Sequence, residues 1–264
     1  MKLRLHSLLA IALSGMLIGC TSSKPNVENV PEIELYNKAK TELEKGNIKS
    51  SISVLETIDK NYPFGPYSQQ VQLDLIYAYY KSADLPLAIA SIDRFLKLNP
   101  THPNIDWVIY MRGISNMAQD DNMIQGWFNV DRSDRDADYA AAAFKDFTYL
   151  VSSFPTSHYA ADAQKRLVFL KNRLARYQLK VAQFYTKRGA YVAVINRVTD
   201  MLVAFPDTDS TKEALLLMRN AYNELGLVNE TQKVDQLIQA NLQNMPKEEQ
   251  RSFLSSFTSI FNGG

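Results

Sequence analysis

Apolar residues recur along most of this chain at the three- and four-residue spacing of an amphipathic helix, and few stretches alternate apolar with polar as strands would. Helix-favouring segments are separated by short breaks that contain Gly, Pro, Asn or Asp. Four of these breaks carry a proline directly after an apolar helix: Pro63, Pro100, Pro155 and Pro206. The pattern predicts an all-α protein built from short helices.

The residues before the four prolines share one arrangement. Twelve positions before each proline stand small or β-branched residues, namely Ser51, Ala88, Ala143 and Val194. Eight positions before stand large apolar residues, namely Leu55, Ile92, Phe147 and Val198. Five positions before stand Ile58, Phe95, Leu150 and Met201. A small residue that lets two helices approach, large residues that fill their interface and a proline that ends the helix are typical of the second helix of a tetratricopeptide repeat.

The first helix of such a repeat is clearest in two places, at Ala39 with Gly46 and at Ala182 with Gly189. A further unit is indicated near Ala221, although it lacks the closing proline. We therefore predict an α-α superhelix of about five tetratricopeptide repeats, with a generic helical bundle as the alternative. The prolines are 37, 55 and 51 residues apart rather than a uniform 34, so we expect extra segments between repeats.

These observations define the predicted organisation of the chain. Residues 32–155 hold repeats 1–3 with an insert near 120–138, and residues 156–241 hold repeats 4 and 5. The stretch from Tyr159 to Arg176 is expected to extend or to split a helix pair. Residues 242–264 form a tail with an apolar stripe at helical spacing, which either caps the last repeat, binds a partner or is loosely ordered.

The first 19 residues have the layout of a cleaved secretory signal peptide, with Lys2 and Arg4 followed by a short apolar run. The run ends in Leu17-Ile18-Gly19-Cys20, which resembles the lipobox of bacterial lipoproteins. The resemblance implies that Cys20 carries S-diacylglycerol and an N-acyl chain. The polar residues that follow include two prolines, so we expect residues 20–31 to form a flexible tether. Because Thr21 is not Asp, the resemblance also implies the periplasmic face of a Gram-negative outer membrane. An ordinary secreted protein is the alternative.

Composition narrows the function classes. The mature chain carries a net charge of about −1, because two of the 29 basic residues and none of the 28 acidic ones lie in the signal. That balance argues against nucleic-acid binding. The segment from Asp131 to Asp136 resembles a calcium loop, but Asp136 stands where glycine is needed and Ala142 where glutamate is needed. We find no phosphate-binding loop, zinc motif or nucleophile elbow, so we predict no catalytic residues, no metal and no cofactor besides the covalent lipid.

Several longer segments closely resemble the BamD family, lipoproteins of the machinery that assembles β-barrel proteins in the outer membrane. They are 62–70, 73–81, 99–104, 110–113, 130–136 and 165–170. The resemblance runs from the lipobox to about residue 240. It implies five repeats and no enzymatic activity. It also implies docking of the C-terminal repeats on a POTRA domain of the barrel subunit BamA, contact with the lipoprotein BamC, and binding of unfolded β-barrel proteins by the N-terminal repeats.

Two groups of residues are candidate binding sites. Tyr62, Phe64 and Tyr67 cluster in the turn between repeats 1 and 2, where they either cradle an extended apolar peptide or pack the junction between the repeats. Arg188 and Arg197 flank the fourth repeat and are candidates for the barrel-subunit interface, with a solvated helix face as the alternative. The competing function is a lipoprotein scaffold that coordinates peptidoglycan or envelope biogenesis.

Overall fold

The computed structural model describes residues 30–122 and 137–243, which form ten α-helices. The first six are α1 Glu32–Glu44, α2 Ile48–Asn61, α3 Ser68–Lys81, α4 Leu85–Leu98, α5 Ile105–Asn122 and α6 Asp138–Ser153. The last four are α7 Ala160–Lys187, α8 Tyr191–Ala204, α9 Thr211–Glu224 and α10 Val228–Gln243.

Each helix packs on the next along the chain, and the lengths of the connections alternate regularly. Three residues join the helices of a pair (α1–α2, α3–α4, α7–α8, α9–α10), whereas six residues join one pair to the next. The first helices of neighbouring pairs also touch, α3 on α5 and α7 on α9. Such stacking of helix pairs is the architecture of helical repeats. The described residues contain five pairs and no strand, so the predicted all-α superhelix of tetratricopeptide type is confirmed.

The residues counted back from the prolines form the buried stripe of each second helix. All twelve of these side chains are at most 1% exposed, from Ser51 in α2 to Met201 in α8. The small residues allow close approach of the paired helices. Ser51 Oγ donates to the carbonyl of Ala39 at 2.9 Å, and a Cβ on Gly113 would lie 2.5 Å from Cε1 of Phe147. The predicted register is therefore confirmed.

The three-residue turns within the pairs use the left-handed backbone region. Gly46, Gly189 and Gly226 have φ of 79°, 67° and 71°, and Ala83 occupies the same place with φ of 60°. In the first turn the amide of Gly46 donates to the carbonyl of Leu43 and that of Asn47 to the carbonyl of Glu42. These two bonds form a Schellman motif, which satisfies carbonyls at the helix end.

Helix α7 accounts for the extra length before the fourth repeat. It runs unbroken for 28 residues, so the stretch from Tyr159 to Arg176 extends a helix pair and does not split it. Its first half, through Leu174, belongs to the central hydrophobic core with α3–α6. Its second half, from Ala175, belongs to the C-terminal core with α8–α10. A third core joins α1–α4.

Several predicted features lie outside the described residues: the signal peptide, Cys20, most of the tether, residues 123–136 of the insert and residues 244–264 of the tail. The predicted boundary between repeats 3 and 4 at residue 155 stays a prediction. Over the two described ranges, no helix has both the length and the apolar character needed to span a membrane.

Candidate functional site

A groove of about 510 Å³ opens where the N-terminal ends of α3, α5 and α7 lie side by side. Its position follows from the repeats, because each proline-bearing turn returns the chain to the same edge of the superhelix. Three aromatic side chains and two carboxylates dominate the lining: Tyr77, Trp107, Tyr159, Asp74 and Asp106. The remaining lining residues are Gln70, Leu73, Pro103, Asn104 and His158.

One side of the groove is built on a pair of stacked tyrosines. Tyr36 of α1 and Tyr67 before α3 have ring centroids 4.9 Å apart and planes inclined by 20°. The Tyr36 hydroxyl donates to Asp74 at 3.1 Å, and the Gln70 amide donates to the other oxygen of Asp74 at 2.9 Å. Burial raises the pKa of Asp74, and these two hydrogen bonds together with the charge of Lys40 only partly offset that effect.

The other side repeats the tyrosine pair. Tyr110 of α5 and Tyr159 before α7 stack at 4.8 Å with planes inclined by 26°. The Tyr110 hydroxyl donates to Asp162 at 2.7 Å, and Arg166 donates to the same carboxylate at 2.5 Å. The hydrogen bond from Arg166 holds the pKa of Asp162 below its usual value.

Asp106 links the groove to the turn before α7. One oxygen accepts from the amide of Trp107 at 2.8 Å, and the other accepts from Ser157 Oγ at 2.6 Å. Ser157 Oγ in turn accepts from the amide of Tyr159 at 3.2 Å. The carboxylate therefore fixes two aromatic walls of the groove relative to each other.

None of the three aromatic residues predicted to bind substrate lines this groove. Tyr62 donates its hydroxyl to the carbonyl of Val30 at 3.0 Å, and Tyr67 stacks on Tyr36. Both are half-buried, so they pack the junction between repeats 1 and 2. Phe64 is 97% exposed and is the one of the three that is free to meet a partner. Their role in binding substrate stays a prediction.

The two arginines predicted at the barrel-subunit interface are placed differently from each other. The guanidinium of Arg188 is exposed and lies 4.5 Å from the ring centroid of Phe184. Arg197 is half-buried and donates from Nη1 to Oε1 of Gln178 at 3.0 Å. Neither pairs with a carboxylate among the described residues. Both side chains thus keep donors for an external acceptor, and the interface itself stays a prediction.

In the part of the chain that the structure describes, no group of three or more His, Cys, Asp or Glu side chains is placed so that it could hold a metal ion. His102 accepts a hydrogen bond from the amide of Asn104 at 3.1 Å and packs edge-on against Phe95. His158 lies at the rim of the groove.

Sequence reasoning missed the groove residues Asp74, Asp106, Trp107 and Tyr159 as a site. One signal was available, because Tyr67 and Tyr159 each stand four residues after a closing proline. The alignment of the second helices on their prolines, continued forward along the chain, pairs these two tyrosines. Their stacking partners on α1 and α5 could not be found that way.

Comparison with known proteins identifies the chain's relatives. The family model described as outer membrane lipoprotein, YfiO, matches residues 28–237. The chain is 49% identical over 237 residues to outer membrane protein assembly factor BamD of Vibrio cholerae, covering 90% of this chain and 97% of the relative. It is 43% identical to BamD of Pasteurella multocida, covering 90% and 92%, and 41% identical to BamD of Haemophilus influenzae, covering 88% and 89%.

The match to the family model spans all the described helices except the end of α10, and these relatives align along nearly their whole length. The chain therefore belongs to the YfiO family of outer membrane lipoproteins, which includes the BamD proteins.

Proposed function

We propose that this protein is an outer membrane protein assembly factor, the lipoprotein subunit of a Bam complex that helps to recognise unfolded β-barrel proteins and to insert them into the outer membrane. The observation that carries the proposal is the family match over residues 28–237, with relatives that bear this name. The stacked helix pairs support it, because a superhelix of repeats offers extended surfaces for protein partners.

The two ends of the superhelix have different roles in this proposal. The C-terminal repeats dock on a POTRA domain of BamA, with the free donors of Arg188 and Arg197 directed to its carboxylates. The N-terminal repeats receive unfolded β-barrel proteins at the exposed ring of Phe64 and in the groove, and they also contact BamC.

The role is one of binding and placement, without catalysis and without a cofactor. Lipids on Cys20 hold the protein at the outer membrane with its repeats in the periplasm. Several acyl chains give stable anchoring where a single chain gives only reversible attachment.

Affinity purification of the tagged chain from detergent-solubilised outer membrane tests the proposal. We expect a large barrel protein with POTRA domains to co-purify. Recovery of peptidoglycan synthases without that barrel protein would instead support the scaffold alternative.

Arg197→Ala sharpens the test at the interface. Truncation of an interface arginine typically costs about 2 kcal/mol when the residue is a hot spot. We expect calorimetry to show weaker binding to the isolated POTRA domains at an unchanged thermal midpoint of the variant. Arg197→Gln keeps the side chain's polarity and lacks its charge, so it separates the loss of the ion pair from the loss of the bond to Gln178. POTRA affinity equal to wild type in both variants would leave Arg197 a surface residue.

A further inference from the structure

The groove carries two carboxylates that no described Lys or Arg contacts directly, although the charge of Lys40 acts on Asp74 over a longer distance. Asp74 accepts hydrogen bonds from Tyr36 and Gln70, and Asp106 accepts from Ser157 and a backbone amide. All four donors are uncharged. No described Lys or Arg lies within ion-pair distance of either carboxylate. Half-buried carboxylates without a counter-ion favour a cation supplied from outside.

Aromatic side chains line the groove together with these carboxylates. Tyr77 is 39% exposed, and Trp107 and Tyr159 are half-buried. A cation that sits over an aromatic ring is attracted to its negative face, and Trp and Tyr rings give the strongest attraction. Carboxylates with aromatic walls therefore form a receptor for an ammonium or guanidinium group.

The corresponding position on α7 shows how this fold neutralises a carboxylate when no partner is needed. Asp74 and Arg166 each stand eleven residues after a closing proline, and Gln70 and Asp162 each stand seven residues after it. On α7 the carboxylate of Asp162 is paired with the charged Arg166. On α3 the carboxylate of Asp74 is paired with the neutral amide of Gln70. If Asp74 only had to accept the hydrogen bond from Tyr36, a cation beside it, like Arg166 beside Asp162, would allow that bond equally well.

The groove has room for more than a lone ammonium group. Its volume of about 510 Å³ lies in the range of pockets that bind drug-sized ligands, so a side chain and its adjoining backbone fit in it. Gln70, Asn104 and His158 add polar groups to the lining that can bond to a peptide backbone.

We propose that this groove binds a Lys or Arg side chain on an extended segment of a partner polypeptide, with Asp74 and Asp106 as the charge-reading residues. The inference rests on the proposed function only in assigning protein partners to this face. Beyond that function, it specifies that the groove selects a positively charged side chain of the partner.

The test uses the full mature chain in a neutral detergent and two labelled nine-residue peptides of threonine, which favours extended backbone. One peptide has arginine at its centre and the other has norleucine. We expect fluorescence anisotropy to show about tenfold tighter binding of the arginine peptide, the ratio expected of one partly desolvated cation site. Affinities within twofold of each other, or no binding of either peptide, would overturn the proposal.

Three variants test whether Asp74 and Asp106 cause the preference for the arginine peptide. Asp74→Asn and Asp106→Asn remove a charge with little change of shape, and Gln70→Arg gives Asp74 the internal cation that Asp162 has. Each is expected to lower the preference for arginine at least threefold, which is part of that tenfold ratio. Asp200→Asn on the exposed face of α8 is the matched control and should keep it. If Asp74→Asn fails to fold, Gln70→Arg and Asp106→Asn still decide, and an arginine preference that persists in both overturns the proposal.

Affinity purification of the same variants separates this inference from the proposed function. Equal binding of the two peptides by a chain that still captures the barrel protein overturns the cation site and leaves the assembly role. Selective peptide binding by a chain that captures no barrel protein supports the cation site and counts against the assembly role.

Discussion

The junction between repeats 1 and 2 and the junction before α7 are built to the same plan with opposite electrostatics. In each, a tyrosine four residues after the proline stacks on a tyrosine of an earlier helix, at 4.9 Å and 4.8 Å. In each, the earlier tyrosine donates its hydroxyl to a carboxylate in the first two turns of the helix that follows the junction. The carboxylate is Asp74 with a neutral neighbour in the first junction and Asp162 with Arg166 in the second.

The difference shows that packing and charge are separable in this repeat. The stacked rings hold neighbouring helices together in both places. Whether the attached carboxylate is neutralised internally depends on one side chain, four residues away on the same helix face. The pKa values differ in direction for two reasons: burial raises the pKa of Asp74, and the hydrogen bond from Arg166 lowers the pKa of the less buried Asp162.

Removal of the stacked rings should have the largest effect and should be similar at the two junctions. We expect Tyr36→Ala and Tyr110→Ala each to lower the free energy of unfolding by about 3 kcal/mol, as is typical for truncation of a packed aromatic residue. The phenylalanine variants keep the ring and lose one hydrogen bond, at about 1 kcal/mol. Urea denaturation measures both. If the free energy of unfolding falls for the variants of only one of these tyrosines, the two stacks are not equivalent.

Overpacking the second helices should have the next largest effect. Ala88 and Ala143 are fully buried in the cores that adjoin the two junctions. We expect Ala88→Leu and Ala143→Leu to cost about 1–3 kcal/mol each, because the added atoms enter a close helix contact. The exposed Ala90 and Ala141 on the same helices provide controls, and their leucine variants should keep the thermal midpoint of the wild type.

Removal of the internal cation should have a smaller effect that depends on pH. Arg166 lowers the pKa of Asp162, so the pair stabilises the fold above the unfolded pKa of aspartate and loses that contribution as pH falls through the lower folded value. Arg166→Leu should therefore cost about 0.5 kcal/mol at neutral pH, a small figure because the pair is partly exposed. The difference between variant and wild type should vanish in acid. Chemical denaturation at a series of pH values measures it, and a cost independent of pH would point to lost packing against Tyr110 instead.

Replacement of Phe64 should have the smallest effect on stability. Phe64→Thr copies the residue that follows the proline in the second junction, Thr156. Because the ring is 97% exposed, we expect the free energy of unfolding to change by less than about 0.5 kcal/mol. Binding of an unfolded β-barrel protein should nevertheless weaken if this ring receives substrate. A large loss of stability would show that Phe64 belongs to the packing of the junction, together with Tyr62 and Tyr67.

Local periodicity was sufficient to predict the helices and the register of their buried faces, whereas the family was indicated by the resemblance of several longer segments. The twelve residues counted back from the prolines are buried because the position of a side chain on a helix face depends only on nearby residues. The glycine turns follow from the same local rule, since a residue with positive φ is needed where each first helix ends.

Only the tertiary structure decided which distant residues meet. Tyr36 reaches Asp74 across 38 residues and Tyr110 reaches Asp162 across 52. Asp146, only 5% exposed, is buried against Arg112 and Asn116, although an aspartate is usually found in solvent. The groove and the uninterrupted course of α7 belong to this class as well. They depend on how one helix pair stacks on the next, and that stacking is set by the summed packing of many side chains rather than by any short stretch of sequence.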